Sequence, residues 1–151
     1  MGREVHHKLK KEIEIFAPSE EASIPLPVLN SSVQGGFPSP ADDYIEKRLD
    51  LNELVVRHPA ATFYVKVEGE SMKGAGIHTG DILVVDRSLS PTNGKIIIAV
   101  LDGEFTVKRL LLKGKRVILQ PENPSHQPIE IKDEDAFQVW GVVTYVIHKT
   151  S

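Results

Sequence analysis

The chain of 151 residues contains no cysteine. That absence excludes a disulfide framework and a cysteine nucleophile alike. No apolar run approaches the roughly 20 residues a helix needs to cross a bilayer. The first residues also lack the apolar core of a signal peptide. No membrane association is therefore expected, and a cytoplasmic protein is the simplest reading. An excess of charge of one sign is lacking too: 18 Lys and Arg stand against 21 Asp and Glu, a formal net charge of −3. A balance of that kind argues against a large basic surface, and so against direct, sequence-specific binding to duplex DNA. There is no phosphate-cradling glycine loop. The six histidines are scattered, with His6 and His7 adjacent and His58, His78, His126 and His148 in separate segments. They make no metal-binding set, so neither a metal nor another cofactor is expected.

What is present suits one compact domain with an additional arm. The apolar share of 40% is enough for a core, and the charged share of 26% is ordinary for a soluble protein. Residues 1–40 read as the arm and residues 41–151 as a β-rich domain. In the arm, Glu12 to Phe16 alternate well enough for a short strand, and a solvated segment is equally open. Pro18, Pro25, Pro27, Pro38 and Pro40 exclude a long helix and favour extended chain. Ser31, Ser32, Gly35 and Gly36 leave the Gly35–Gly36 bond sterically open, because without β-carbons the backbone there can approach another group closely.

Past the arm, Ser39-Pro40-Ala41-Asp42 carries the marks of a helix start, and a short helix running to Arg48 is expected. Asp50-Leu51-Asn52-Glu53 reads as a second cap, with Leu51, Leu54 and Val55 lining a face against the sheet until Pro59. From Thr62 onward the pattern is strand after strand, over 62–68, 82–86, 95–101, 104–112, 116–120, 129–131 and 136–148. Asp102-Gly103 between two apolar runs signals a tight hairpin, and Lys113-Gly114-Lys115 another turn. Residues 121–128 form a polar loop. Asp81 and Asp86 flank an apolar strand and are read as structural, with lysines as candidate partners. The fold class expected is mostly β, a strongly bent sheet or small barrel with short N-terminal helices.

Two residues carry candidate chemistry. Ser71 lies just past the strand that Gly69 breaks, where a side chain can stand clear of the sheet. It does not match a Gly-x-Ser-x-Gly elbow, since Lys73 holds the last position, and no histidine sits in a recognisable triad motif. Lys108, inside the run 104–113, shares a face with Thr106, Leu110 and Leu112 at period two. A lysine there can lay its stem on apolar surface with its head in water. Alternatively it is buried, with its pKa pushed down until it can take a proton from Ser71. Spacing alone does not choose between these.

At these residues the chain resembles the LexA/UmuD family of self-cleaving Ser-Lys proteases. The shared segments are Gly69-Glu70-Ser71-Met72, Gly76-Ile77, Gly80-Asp81-Ile82-Leu83-Val84-Val85-Asp86 and Asp102-Gly103-Glu104-Phe105-Thr106-Val107-Lys108. Upstream, Val33-Gln34-Gly35-Gly36-Phe37-Pro38-Ser39-Pro40 is similar to the cleavage site of the UmuD branch. The proline-rich residues before it are too few for the DNA-binding domain of the repressor branch. Signal peptidases share the chemistry and the Met after the serine but act at membranes. The resemblance implies Ser71 as nucleophile, Lys108 as general base and Gly35–Gly36 as the bond cut. Val33 and Phe37 would anchor the segment, and the Ser71 and Met72 amides would hold the oxyanion. Gly35 departs from the alanine or cysteine usual in the family, which bears on how firmly the bond is held. The resemblance also implies a homodimer, activation by a RecA filament on single-stranded DNA, and assembly of the shortened dimer with a UmuC-like Y-family DNA polymerase subunit in the SOS response. The competing reading is a non-catalytic β module that binds a polymerase through its arm.

Overall fold

The computed structural model describes residues 13–17, 25–29 and 45–151. The elements, in chain order, are β1 (Ile13–Phe16), β2 (Pro25–Leu29), β3 (Ile45–Asp50), α1 (Leu51–Val55), β4 (Thr62–Val67), β5 (Ile82–Asp86), β6 (Ile96–Leu101), β7 (Glu104–Lys113), β8 (Arg116–Gln120), β9 (Ile129–Glu130) and β10 (Phe137–Ile147). Eight of the strands form one antiparallel sheet in the order β1-β4-β5-β10-β6-β7-β8-β9, and β2 pairs with β3 separately. This is the mostly β architecture the alternation predicts.

The expected strands from residue 62 onward all form, each within a residue or two of the bounds read from the pattern. Asp102 and Gly103 close the β6–β7 hairpin with φ of 51° and 78°. Positive φ at both central residues matches the right-handed twist of the flanking strands, which is why this dipeptide marks such turns. Ile97, Ile98 and Ala99 of β6 are each 0% exposed, so both faces of that strand are covered. The only α-helix among the described residues has five residues. The sheet itself must therefore supply the cover by bending over, and two buried clusters result. Ile98 and Val107 join Ile15, Val65, Met72 and Ile77 in one; Ile97, Ala99, Leu110, Leu119 and Val142 make the other. Register shifts in β10, between Val139 and Gly141 and again between Val143 and Tyr145, let it pair with β6 first and β5 later.

Three local expectations change. Residues 45–50 are strand, not the tail of a helix reaching Arg48, because Pro25–Leu29 offers them an antiparallel partner that local propensity cannot reveal. Pro25 and Pro27 lie two apart, so both missing donors can fall on the outer edge of that pair. The second start signal does open a helix. The Asp50 side chain accepts from the Asn52 N–H at 2.9 Å and caps α1. Yet α1 buries only Val55, while Leu51 and Leu54 are exposed, so the face expected to pack on the sheet is mostly uncovered. Tyr64, which the alternation of Phe63, Val65 and Val67 with Tyr64, Lys66 and Glu68 would put on the solvated side of β4, is half-buried and donates to Asn52 Oδ1 at 3.0 Å. Burial pushes its hydroxyl above the usual 10.0. In the arm, the strand alternative is the one realised. Ile13–Phe16 pairs with β4 at the edge of the sheet, and Ile15 is 1% exposed in the first cluster.

Candidate active site

The chain leaves β4 at Val67 and turns at Gly69, whose φ is 112°. Two neighbouring segments grip the next residues. Thr79 Oγ1 accepts from the Gly69 N–H at 3.0 Å and lies 3.2 Å from both Gly69 O and Glu70 Oε1, to one of which it donates. Asn123 Nδ2 donates to Glu70 O at 2.7 Å. Beyond Ser71, Met72 is 2% exposed in the first cluster, and its carbonyl accepts from Ala75 N at 3.0 Å and Ile77 N at 3.2 Å. Ser71 is thus held between a clasped segment and a buried anchor. Neither the Ser71 nor the Met72 amide donates a hydrogen bond within the protein among the described residues.

Lys108 sits in the middle of β7, opposite Ile97 of β6. It is 6% exposed and Ser71 is 8% exposed, so burial, not an edge position with the head in water, is the state found. Its Nζ lies 3.2 Å from Ser71 Oγ, 2.6 Å from Thr106 Oγ1 and 3.1 Å from Val107 O. Two of these three partners are hydroxyls, which can donate or accept. As an ammonium, Nζ can donate to all three. As an amine, it can donate to Val107 O and accept from Ser71 without orphaning any of them. Rotating hydroxyls let these three contacts accommodate either protonation state, and Oγ and Nζ lie within reach of direct proton transfer. Leu110 is buried on the expected face, but Leu112 is 40% exposed near the end of the β7–β8 hairpin. The apolar surroundings come from Ile97 and Leu110, not from Leu112.

Sequence reasoning missed the supports. Thr106 shares the face of Lys108 with no motif of its own, and Asn123 lies in a loop whose pattern says only that it is polar. That loop is fixed to the nucleophile segment by Gly74 N to Glu122 O at 2.6 Å, and by Arg109 Nε to Glu122 Oε1 at 2.6 Å. A Cβ on Gly74 would come 2.7 Å from Glu122 O, closer than a side chain tolerates. Beside the serine, Glu70, Lys73, Gly74 and residues 122–125 line an open depression of about 520 Å³. No spacing in the sequence joins these segments.

Asp81 and Asp86, expected to pair with lysines, pair with histidines instead. Asp81, 1% exposed, accepts from His78 N at 2.9 Å and meets His148 Nδ1 at 2.6 Å. Asp86, 4% exposed, meets His58 Nδ1 at 2.6 Å and accepts from Ser88 N and Oγ. Burial acts to raise the Asp86 carboxyl, but the hydrogen bonds from His58 and Ser88 together outweigh it and hold the group below its usual 3.8. Val33, Gly35, Gly36 and Phe37 lie outside the described residues, in the connection between the paired strands β2 and β3.

Over 137 residues the chain is 47% identical to Protein SamA of Salmonella typhimurium, covering 90% of this chain and 95% of SamA. It is 49% identical to Protein ImpA of Escherichia coli over 133 residues, covering 88% and 90% respectively. The LexA repressor of Glaesserella parasuis matches at 35% over 140 residues, which is 92% of this chain but 65% of the repressor. Residues 27–144, which hold both Ser71 and Lys108, match the model of the Peptidase S24-like proteins. The chain belongs to the Peptidase S24-like family.

Proposed function

We propose that the protein is a self-processing serine protease that cuts its own Gly35–Gly36 bond with a Ser71–Lys108 dyad. The observation that carries the reading is the 3.2 Å contact between buried Lys108 Nζ and buried Ser71 Oγ in a chain of a peptidase family. Neutral Lys108 takes the proton of Ser71 Oγ as the oxygen attacks the Gly35 carbonyl. The oxyanion lies at the Ser71 and Met72 amides, whose lack of partners among the described residues supports that role. Lys108 then passes the proton to the departing Gly36 amine, and a Ser71 ester of residues 1–35 remains. Water, losing a proton to Lys108, hydrolyses the ester and restores Ser71. Val33 and Phe37 anchor the segment on either side of the bond.

A protease that carries its own substrate must be restrained, and a partner that favours the docked arm and the neutral lysine releases it by population shift. By resemblance that partner is a RecA filament on single-stranded DNA. The shortened homodimer then serves a UmuC-like Y-family DNA polymerase in translesion synthesis during the SOS response. The end of β10 supports a dimer. Tyr145, Val146 and Ile147 are exposed, and past Val142 only β5 pairs with the strand among the described residues. The deciding experiment incubates the purified protein with and without the filament and sequences the shortened product. A product beginning Gly-Phe-Pro-Ser-Pro is expected. No shortening under any condition favours the non-catalytic polymerase-binding module. Mixing a Ser71→Ala chain with one lacking residues 1–35 tells cleavage within a protomer from cleavage between protomers.

A further inference from the structure

The outermost strand of the sheet is not a free arm. β1 pairs antiparallel with β4 in the register Ile13↔Val67, Glu14↔Lys66, Ile15↔Val65, Phe16↔Tyr64. Ile15 is 1% exposed and packs in the cluster that holds Val65, Val67 and Met72, the residue after the nucleophile. β1 is the end strand of the order, and among the described residues it alone pairs with that edge of β4. We propose that this edge is a strand-acceptor site, filled in the intact chain by β1 and opened to an extended apolar–acidic segment of another protein once the chain is cut. The proposal rests, for the natural trigger, on the reading that Gly35–Gly36 is the bond cleaved.

β1 lies upstream of that bond and β4 downstream, so the cut places them on separate pieces. While tethered, a strand meets its groove at an effective concentration on the order of millimolar. After the cut the same four residues compete at the concentration of the fragment itself, and another strand can displace them. The groove states what that strand must look like. Its position opposite Val65 takes an apolar side chain into the core. Its position opposite Lys66, whose side chain is exposed, favours an acid, as the register of Glu14 illustrates. Backbone pairing along β4 supplies attachment, and these alternate positions supply selectivity, as in strand addition to other sheet edges. The occupant is thus a partner segment reading apolar-acidic-apolar in extended form. Processing would change what the protein can bind as well as how long it is.

The test uses a full-length Ser71→Ala chain in which the recognition sequence of an unrelated site-specific protease replaces residues 31–35. The nick is then independent of self-cleavage, so failure of the dyad reading and failure of this proposal are separable. A fluorescent peptide of residues 10–18 is titrated against intact and nicked protein by anisotropy. Saturable binding to the nicked form, at least about tenfold tighter than to the intact chain, is expected. The same peptide with Ile15→Asp should lose about tenfold or more, because a carboxylate would enter the apolar cluster. Equal binding to both forms overturns the proposal, as does no binding to the nicked form at millimolar peptide. Unfolding of the nicked protein that the peptide does not reverse overturns it too. Growth of the nicked protein into larger assemblies that the peptide does not dissolve assigns the edge to a second copy and overturns the partner assignment.

Discussion

If neutral Lys108 is the base, alkali should partly replace the activating partner. A lysine half-neutral at pH 7 needs its pKa lowered by about three units from roughly 10.4, near 4 kcal/mol. The site offers opposing influences. Lys108 is 6% exposed, with buried Ile97 opposite it and buried Leu110 two residues along β7, which disfavours the ammonium, while Ser71, Thr106 and Val107 O can all accept from Nζ. Each unit of pH recovers about 1.4 kcal/mol of the cost of deprotonation, so the spontaneous rate should rise about tenfold per unit. It should flatten at a plateau below roughly 10.4, the value of a free lysine. The assay is a rate profile of purified protein between about pH 7 and pH 11 without filament, with circular dichroism confirming the fold. Lys108→Arg should stay inactive throughout, because a guanidinium does not give up its proton in this range. A flat profile in folded protein would refute the lysine as the switch and leave docking of the arm as the restraint.

Ser71→Ala and Lys108→Ala should each abolish shortening, and the double variant should lose little more, since the pair acts as one unit; the readout is fragment yield with and without filament. Gly36→Glu should block processing while the melting temperature holds, because it adds bulk and charge where the backbone must approach Ser71. Asn123→Ala removes the donor to Glu70 O; a loss of about 0.5–1.5 kcal/mol in holding the nucleophile segment should slow cleavage about two- to tenfold, measured as single-turnover shortening. Asp86 is held below its usual 3.8, so its stabilising contribution is complete above that value and is lost as pH falls through the folded-state value. Asp86→Asn should therefore lower the melting temperature at neutral pH and flatten its decline below about pH 4.

Most of the sheet was legible in the sequence because a strand's burial repeats every two residues, and that period is local. Val65 and Val67 inside with Lys66 outside can be read from β4 alone, as can the hairpin at Asp102-Gly103. The motifs around Ser71 and Lys108 were legible for the same reason, since each is a short contiguous pattern. What only the tertiary structure decided is which distant segment meets which. Residues 45–50 became strand because β2 lies beside them, and Ile13–Phe16 became an edge strand because β4 offered a free side. Asp81 and Asp86 took histidines as partners because the chain brings His148 and His58 to them, across 67 and 28 residues. Lys108 reaches Ser71 across 37 residues because β7 and the segment after β4 converge where the sheet bends. A carboxylate or an ammonium is satisfied by whatever group the fold brings within about 3 Å, and no local pattern encodes that neighbour.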